Sequence, residues 1–217
     1  GQYAPNEFKD VKPIAFHVHG PGVFHTVNKQ IKTMADLKGL KVRAPTRQTN
    51  KFLAALGATP VAMPVPQVSE ALSKSVIDGA VVPYEVVPSV KIQELVKFHT
   101  ETAADDAAFY TSVFVFAMNK AKYDGLPADL KKVIDNNSGQ AFSGQIGKAF
   151  VAADAEGKKI AGKNTFYVIP KADLAPMKAA GQPITDAWVA DVTAKGANGK
   201  QLLDGARALI AKYATAK

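Results

Sequence analysis

The chain has 217 residues, 47% of them hydrophobic, enough to bury a core for one large domain or two smaller lobes. Lys and Arg number 27 against 19 Asp and Glu, and the net charge of +8 favours anionic partners. The basic residues are scattered, with no long run and no stripe interleaved with aromatics, which argues against nucleic acid. Cysteine is absent, excluding disulfides, thiolate metal sites and cysteine nucleophiles. No apolar run reaches the length of a membrane span, and any leader is expected to have been removed before Gly1.

Pro13 to Val18 reads as a strand, stopped by the turn Gly20-Pro21-Gly22. A second strand covers Leu40 to Ala44. Gln48 to Leu56 places Phe52, Leu53 and Leu56 on one helical face, with Gly57 at the C′ position. Val61 to Met63 is a third strand. Pro66 then opens a helix over Gln67 to Ser75, and Gly79 to Val82 is a fourth strand. Phe109 to Met118 is apolar on both faces and is predicted to lie buried in the middle of a sheet. From Pro127 to Ala161 apolar residues recur at helical spacing, predicting one helix long enough to span two lobes. Thr165 to Ile169 is the last strand, closed by Pro170. Two helices follow, one burying Ile184, Trp188 and Val192, the other Leu202, Leu203, Ala206, Leu209, Ile210 and Tyr213. The alternation predicts an α/β fold with a mainly parallel sheet.

Arg43 ends the second strand, and Pro45 closes it. In open α/β sheets ligands bind in the crevice beyond the strand ends, and the planar fork of arginine matches a carboxylate with two hydrogen bonds. This position predicts an anion receptor. His17 and His19 lie two apart on a strand and point the same way, with His25 six residues beyond. A metal-dependent hydrolase built on His17, His19 and His25 is the alternative, and His99 with Glu101, Asp105 or Asp106 forms the other cluster of ligand types. No nucleophile elbow, phosphate-cradling loop or dinucleotide fingerprint occurs, so no cofactor is expected.

The block Leu37 to Pro45 reads Leu-Lys-Gly-Leu-Lys-Val-Arg-Ala-Pro; Leu-Gly-Ala-Thr-Pro follows at Leu56 to Pro60, and Ile-Asp-Gly at Ile77 to Gly79. With Phe114 to Pro127, these blocks resemble the periplasmic solute-binding proteins of tripartite ATP-independent periplasmic (TRAP) transporters, the DctP-like family. The resemblance implies a two-lobed fold, a periplasmic location, no catalysis, capture of an organic acid and delivery to TRAP membrane subunits. It gives Arg43 the role of carboxylate clamp.

Two departures shape the expected ligand. Many family members carry Asn where Val82 stands, and many carry a second arginine where Gly20 to Thr26 offers only His25, with His19 just before, as donor. The pocket is therefore expected to take a monocarboxylate with an apolar or aromatic body, because unpaired polar groups are costly to bury. Val65, Val82, Phe24 and Tyr84 are its candidate walls, Tyr84 also offering a hydroxyl.

The resemblance corresponds to the C-terminal two thirds of a typical member, with Gly1-Gln2-Tyr3 falling inside the first lobe. Residues 1–20 with 107–147 are expected to form an incomplete first lobe, and 21–106 with 148–217 the second. Apolar strand edges left without neighbours predict self-association, or a place within a longer polypeptide.

Overall fold

In chain order the structure, a computed structural model describing residues 7–214, runs β1 (Val11–Val18), β2 (Val23–Thr26), β3 (Lys41–Ala44), α1 (Arg47–Ala55), β4 (Thr59–Ala62), α2 (Val68–Ser73), β5 (Gly79–Val82), β6 (Phe98–Thr102) and β7 (Val113–Asn119). There follow α3 (Lys120–Asp124), α4 (Ala128–Asn136), α5 (Gln140–Ile160), β8 (Thr165–Ile169), α6 (Lys171–Ala194) and α7 (Gly199–Ala214). Gly1 to Tyr3, and the rest of the first six residues of the expected first lobe, lie outside the described residues.

Two sheets form. One has six strands in the order β4-β3-β5-β2-β6-β8. Within it β3 runs parallel to β4 and β5, β6 runs parallel to β8, and β2 is antiparallel to both its neighbours. Five of the six strands therefore run the same way, with β2 alone reversed, and the sheet is mainly parallel as expected. Side chains on successive strand residues point to opposite faces, and two cores result. Phe24, Val42, Ala44 and Val81 pack with Leu53, Leu174 and Met177 on one face. Val23, Ala80 and Val82 pack with Val68, Leu72 and Ile92 on the other. Burying each large side chain of this kind stabilises the fold by about 1.5–3 kcal/mol.

The second sheet is the antiparallel ribbon of β1 and β7, with His17 opposite Phe114 and Val18 opposite Val113. The expectation of a doubly buried strand over Phe109 to Met118 fails here. Phe109 is buried but precedes the strand, while Val113 is 73% and Phe116 55% exposed, because β7 has β1 as its partner and, among the described residues, no further strand beyond.

The predicted helix from Pro127 to Ala161 is two helices. Gly139, at φ +85° and ψ −151°, takes a backbone conformation that is nearly glycine's alone, and its N–H donates to the Ile14 carbonyl of β1 at 2.7 Å. α5 nevertheless joins the two sheets. It packs on β1 and, at its other end, on the 3-10 turn Tyr84–Val86 that follows β5. Gly157 makes that contact: a Cβ there would lie 2.1 Å from the Tyr84 carbonyl oxygen.

α6 runs through Pro176 and Pro183 to reach Ala194. α7 packs against α6 but leaves Leu209, Ile210 and Tyr213 of its predicted core face exposed.

Candidate ligand-binding site

Arg43 sits near the end of β3, between Val42 and Ala44, so it faces away from the core those two enter. Its strand partners are Val61 of β4 and Ala80 of β5. The three parallel strands end together, and their carbonyls hold the guanidinium. Nε donates to the Met63 carbonyl at 3.0 Å and Nη1 to the Val81 carbonyl at 3.3 Å. Arg43 is 4% exposed, and among the described residues no carboxylate pairs with it. Burial pushes its pKa below the usual arginine value. A buried guanidinium without an anion leaves donors to spare and a strong demand for one.

A cavity of about 320 Å³ opens on this group. One wall comes from the six-stranded sheet and its loops: Arg43, Pro45, Thr46, Val65, Val82 and Glu85 among others. The other comes from the ribbon and its approach: His19, Tyr110, Ser112, Val113 and Phe114. The site is a cleft between two sheets, mostly apolar, with an aromatic side. His19 meets Tyr110 edge-on at 5.0 Å between ring centroids and lies 6.0 Å from Phe114.

Of the residues expected at the site, Arg43, His19, Val65 and Val82 come together here. His19 serves the wall rather than the ligand's charge. Its Nδ1 donates to the Gly20 carbonyl at 2.5 Å and its Nε2 accepts from the Ser112 N–H at 3.1 Å, so neither ring nitrogen is left over.

Phe24, His25 and Tyr84 lie elsewhere. Phe24 is core, edge-on to Phe109 at 4.6 Å. Tyr84 lines a separate cavity of about 420 Å³ with Glu101, Asp154 and Lys158. His25 belongs to a buried chain of hydrogen bonds whose tautomers are fixed by its ends. Asn164 Nδ2 donates to His99 Nε2 at 3.0 Å, His99 Nδ1 donates to His25 Nδ1 at 2.6 Å, and His25 Nε2 donates to the Val82 carbonyl at 3.1 Å. Burial lowers His25 to about 3 and His99 to about 4, so both rings are neutral.

The hydrolase alternative finds no centre in this geometry. His17 stacks on Phe114 and lies 4.7 Å from Phe150, His19 is engaged as above, and His25 is tied to His99. Glu101 and Asp105 pair with Lys158 and Lys171, at 2.6 Å and 2.8 Å, and Asp106 pairs with Lys178. Among the described residues no group of three or more metal-ligating side chains assembles.

Sequence reasoning overlooked Tyr110, Phe114 as a wall, and Glu85. The first two sat inside a segment read as a buried strand. Glu85 had one usable signal, its place three residues past the end of β5 beside the crevice.

A cleft between two sheets, lined by apolar side chains and floored by a single unpaired guanidinium, is the architecture of a solute-binding protein. Residues 2–191 match the family described as bacterial extracellular solute-binding protein, family 7 (DctP), and the chain belongs to that family. It is 54% identical to a TRAP solute binding protein from Rhodoferax ferrireducens T118, solved in complex with copurified benzoate. The two superpose with a TM-score of 0.95 over 99% of this chain and 67% of that one. A marine metagenome TRAP solute binding protein specific for aromatic acid ligands, solved with 3-hydroxybenzoate, is 44% identical at a TM-score of 0.92, over 98% of this chain and 68% of that one. The 2,3-diketo-L-gulonate-binding periplasmic protein YiaO of Escherichia coli strain K12 is 30% identical across 86% of this chain, which spans only 56% of that relative's length.

Proposed function

We propose that this chain captures an organic acid anion, an aromatic or otherwise apolar monocarboxylate, in the periplasm and delivers it to the membrane subunits of a TRAP transporter. The observation that carries the reading is the buried, carboxylate-free Arg43 guanidinium opening on an apolar cleft. Binding places the ligand carboxylate on Arg43 and its ring against His19, Tyr110, Phe114, Val65 and Val82. Relatives solved with benzoate and 3-hydroxybenzoate support an aromatic body.

Residues 1–20 with 107–147 make one lobe in this reading, and 21–106 with 148–217 the other. The cleft lies between them, so a ligand touching both walls favours their closed arrangement. The exposed apolar residues of β1 and β7 support self-association of this chain.

The test is thermal unfolding with benzoate, phenylacetate and an aliphatic monocarboxylate, comparing the parent with Arg43→Ala. Stabilisation by at least one acid, lost in the variant, is expected. Stabilisation that persists in Arg43→Ala would move the carboxylate elsewhere.

A further inference from the structure

Among the residues lining the Arg43 cavity, Glu85 carries the acidic group. It sits in the turn Tyr84–Val86, which α5 holds in place: the Glu85 N–H donates to Asp154 Oδ1 at 2.8 Å, beside the close contact of Gly157 with the Tyr84 carbonyl. Its carboxylate is half-buried and, among the described residues, makes neither an ion pair nor a hydrogen bond. Arg43 shares the cavity with it yet does not neutralise it.

That is an odd tenant for an anion's pocket. Sealing the cleft with a ligand strips water from Glu85, and an unpartnered carboxylate is expensive to desolvate. Three other polar side chains on the walls are already engaged. His19 uses both nitrogens, Tyr110 Oη donates to the Val81 carbonyl at 3.3 Å, and Thr46 Oγ1 bonds Thr49 Oγ1 at 2.8 Å. Glu85 is left as an acceptor wanting a donor. Burial, aided by the nearby Asp154, already holds its carboxyl above the usual range, as expected of a carboxylate short of donors.

We infer that Glu85 sets specificity by accepting a hydrogen bond from a hydroxyl or amino substituent of the bound acid, so that the site favours hydroxy- or amino-substituted aromatic carboxylates over unsubstituted benzoate. The inference rests on the carboxylate clamp at Arg43 proposed above. A site built to pair a ligand's O–H or N–H discriminates sharply against the analogue that lacks it.

The test is calorimetric titration of the full chain with benzoate, 3-hydroxybenzoate, 4-hydroxybenzoate and 3-aminobenzoate, for the parent, Glu85→Leu, Glu85→Gln and Arg43→Ala, with circular dichroism confirming each fold. The parent is expected to bind at least one donor-bearing acid about tenfold or more tighter than benzoate. Glu85→Leu should bring that ratio to about one. Glu85→Gln, of the same shape but uncharged, should retain part of the preference, since charge-assisted bonds are roughly twice as strong as neutral ones. Should the leucine variant fail to fold, the drop from parent to glutamine variant decides the matter. A parent ratio near one, or one unchanged in the folded variants, overturns the role of Glu85 and leaves the clamp standing. Absence of binding to every acid, or binding indifferent to Arg43→Ala, overturns the clamp and this inference with it.

Discussion

Arg43 is held by two backbone carbonyls from neighbouring strand ends, so its guanidinium plane is set before any ligand arrives. Lysine at this position would keep the charge and lose both the fork and those anchors. Arg43→Lys is expected to weaken carboxylate binding about tenfold and Arg43→Ala about a hundredfold, the range for a charged hydrogen-bonding group. Equal affinities for the parent and both variants by calorimetry would remove Arg43 from the site. The buried imidazoles make a separate prediction, about stability. His25 and His99 stay neutral in the fold at pKa values near 3 and 4 but take up protons near pH 6.5 when unfolded. Their contribution is therefore full above pH 6.5 and is lost as pH drops towards 4 for His99 and 3 for His25, the loss from His25 alone reaching about 2 kcal/mol at pH 5. Glu85 and Asp154, raised by burial, work with the opposite sign: their protonated forms suit the fold, and that contribution fades as pH rises. The slope is therefore best read by difference. Urea unfolding at pH 7 and pH 5 should show a smaller acid loss in His99→Gln than in the parent, and equal losses would contradict it.

Among the elements, α5 ties the two halves together, and its sharpest contact is Gly157 against the Tyr84 carbonyl. Alanine in mid-helix normally gains about 1 kcal/mol over glycine. Here its methyl group would meet a backbone oxygen at 2.1 Å, and such overpacking costs about 1–3 kcal/mol. Gly157→Ala is thus expected to lower the thermal midpoint by several degrees; a raised midpoint would show that the turn yields freely. Much of this level was legible in the sequence. Strands β3, β4, β5 and β8 announce themselves by β-branched residues between turn signals, and α1 by its apolar face and Gly57. β2 and β6 escaped because they are short and carry His25, His99, Thr100 and Glu101, residues that read as loop until the opposed imidazoles satisfy one another inside the sheet. The helix break at Gly139 escaped because the apolar period continues across it, and only the bond to the Ile14 carbonyl explains the turn. At the site, Arg43, Val65 and Val82 could be found because they share one local block of strands. Tyr110 and Phe114 could not, since the pairing of β1 with β7 that brings them alongside spans about half the chain.

Across the whole molecule the two sheets are unequally clothed. The six-stranded sheet has a core on each face, whereas the ribbon exposes Phe16, Val18, Val113, Phe114, Val115 and Phe116. Apolar patches of this kind invite a covering partner. Light scattering of this chain is expected to show a mass that rises with concentration, and Val113→Lys with Phe116→Lys should lower it towards the monomer. A concentration-independent monomer for the parent would argue that the ribbon tolerates water.

The chain from Asn164 through His99 and His25 to the Val82 carbonyl also supplies a reporter. Its two ring protons, Nδ1–H of His99 and Nε2–H of His25, belong to fully buried residues and are expected to exchange slowly with solvent. They should appear as isolated downfield resonances in a proton spectrum, without any isotopic label. One of them ends on the strand whose Val82 side chain faces the cleft, so titrating a ligand while watching that resonance would register strain in the sheet directly. A receptor wall would then carry its own gauge.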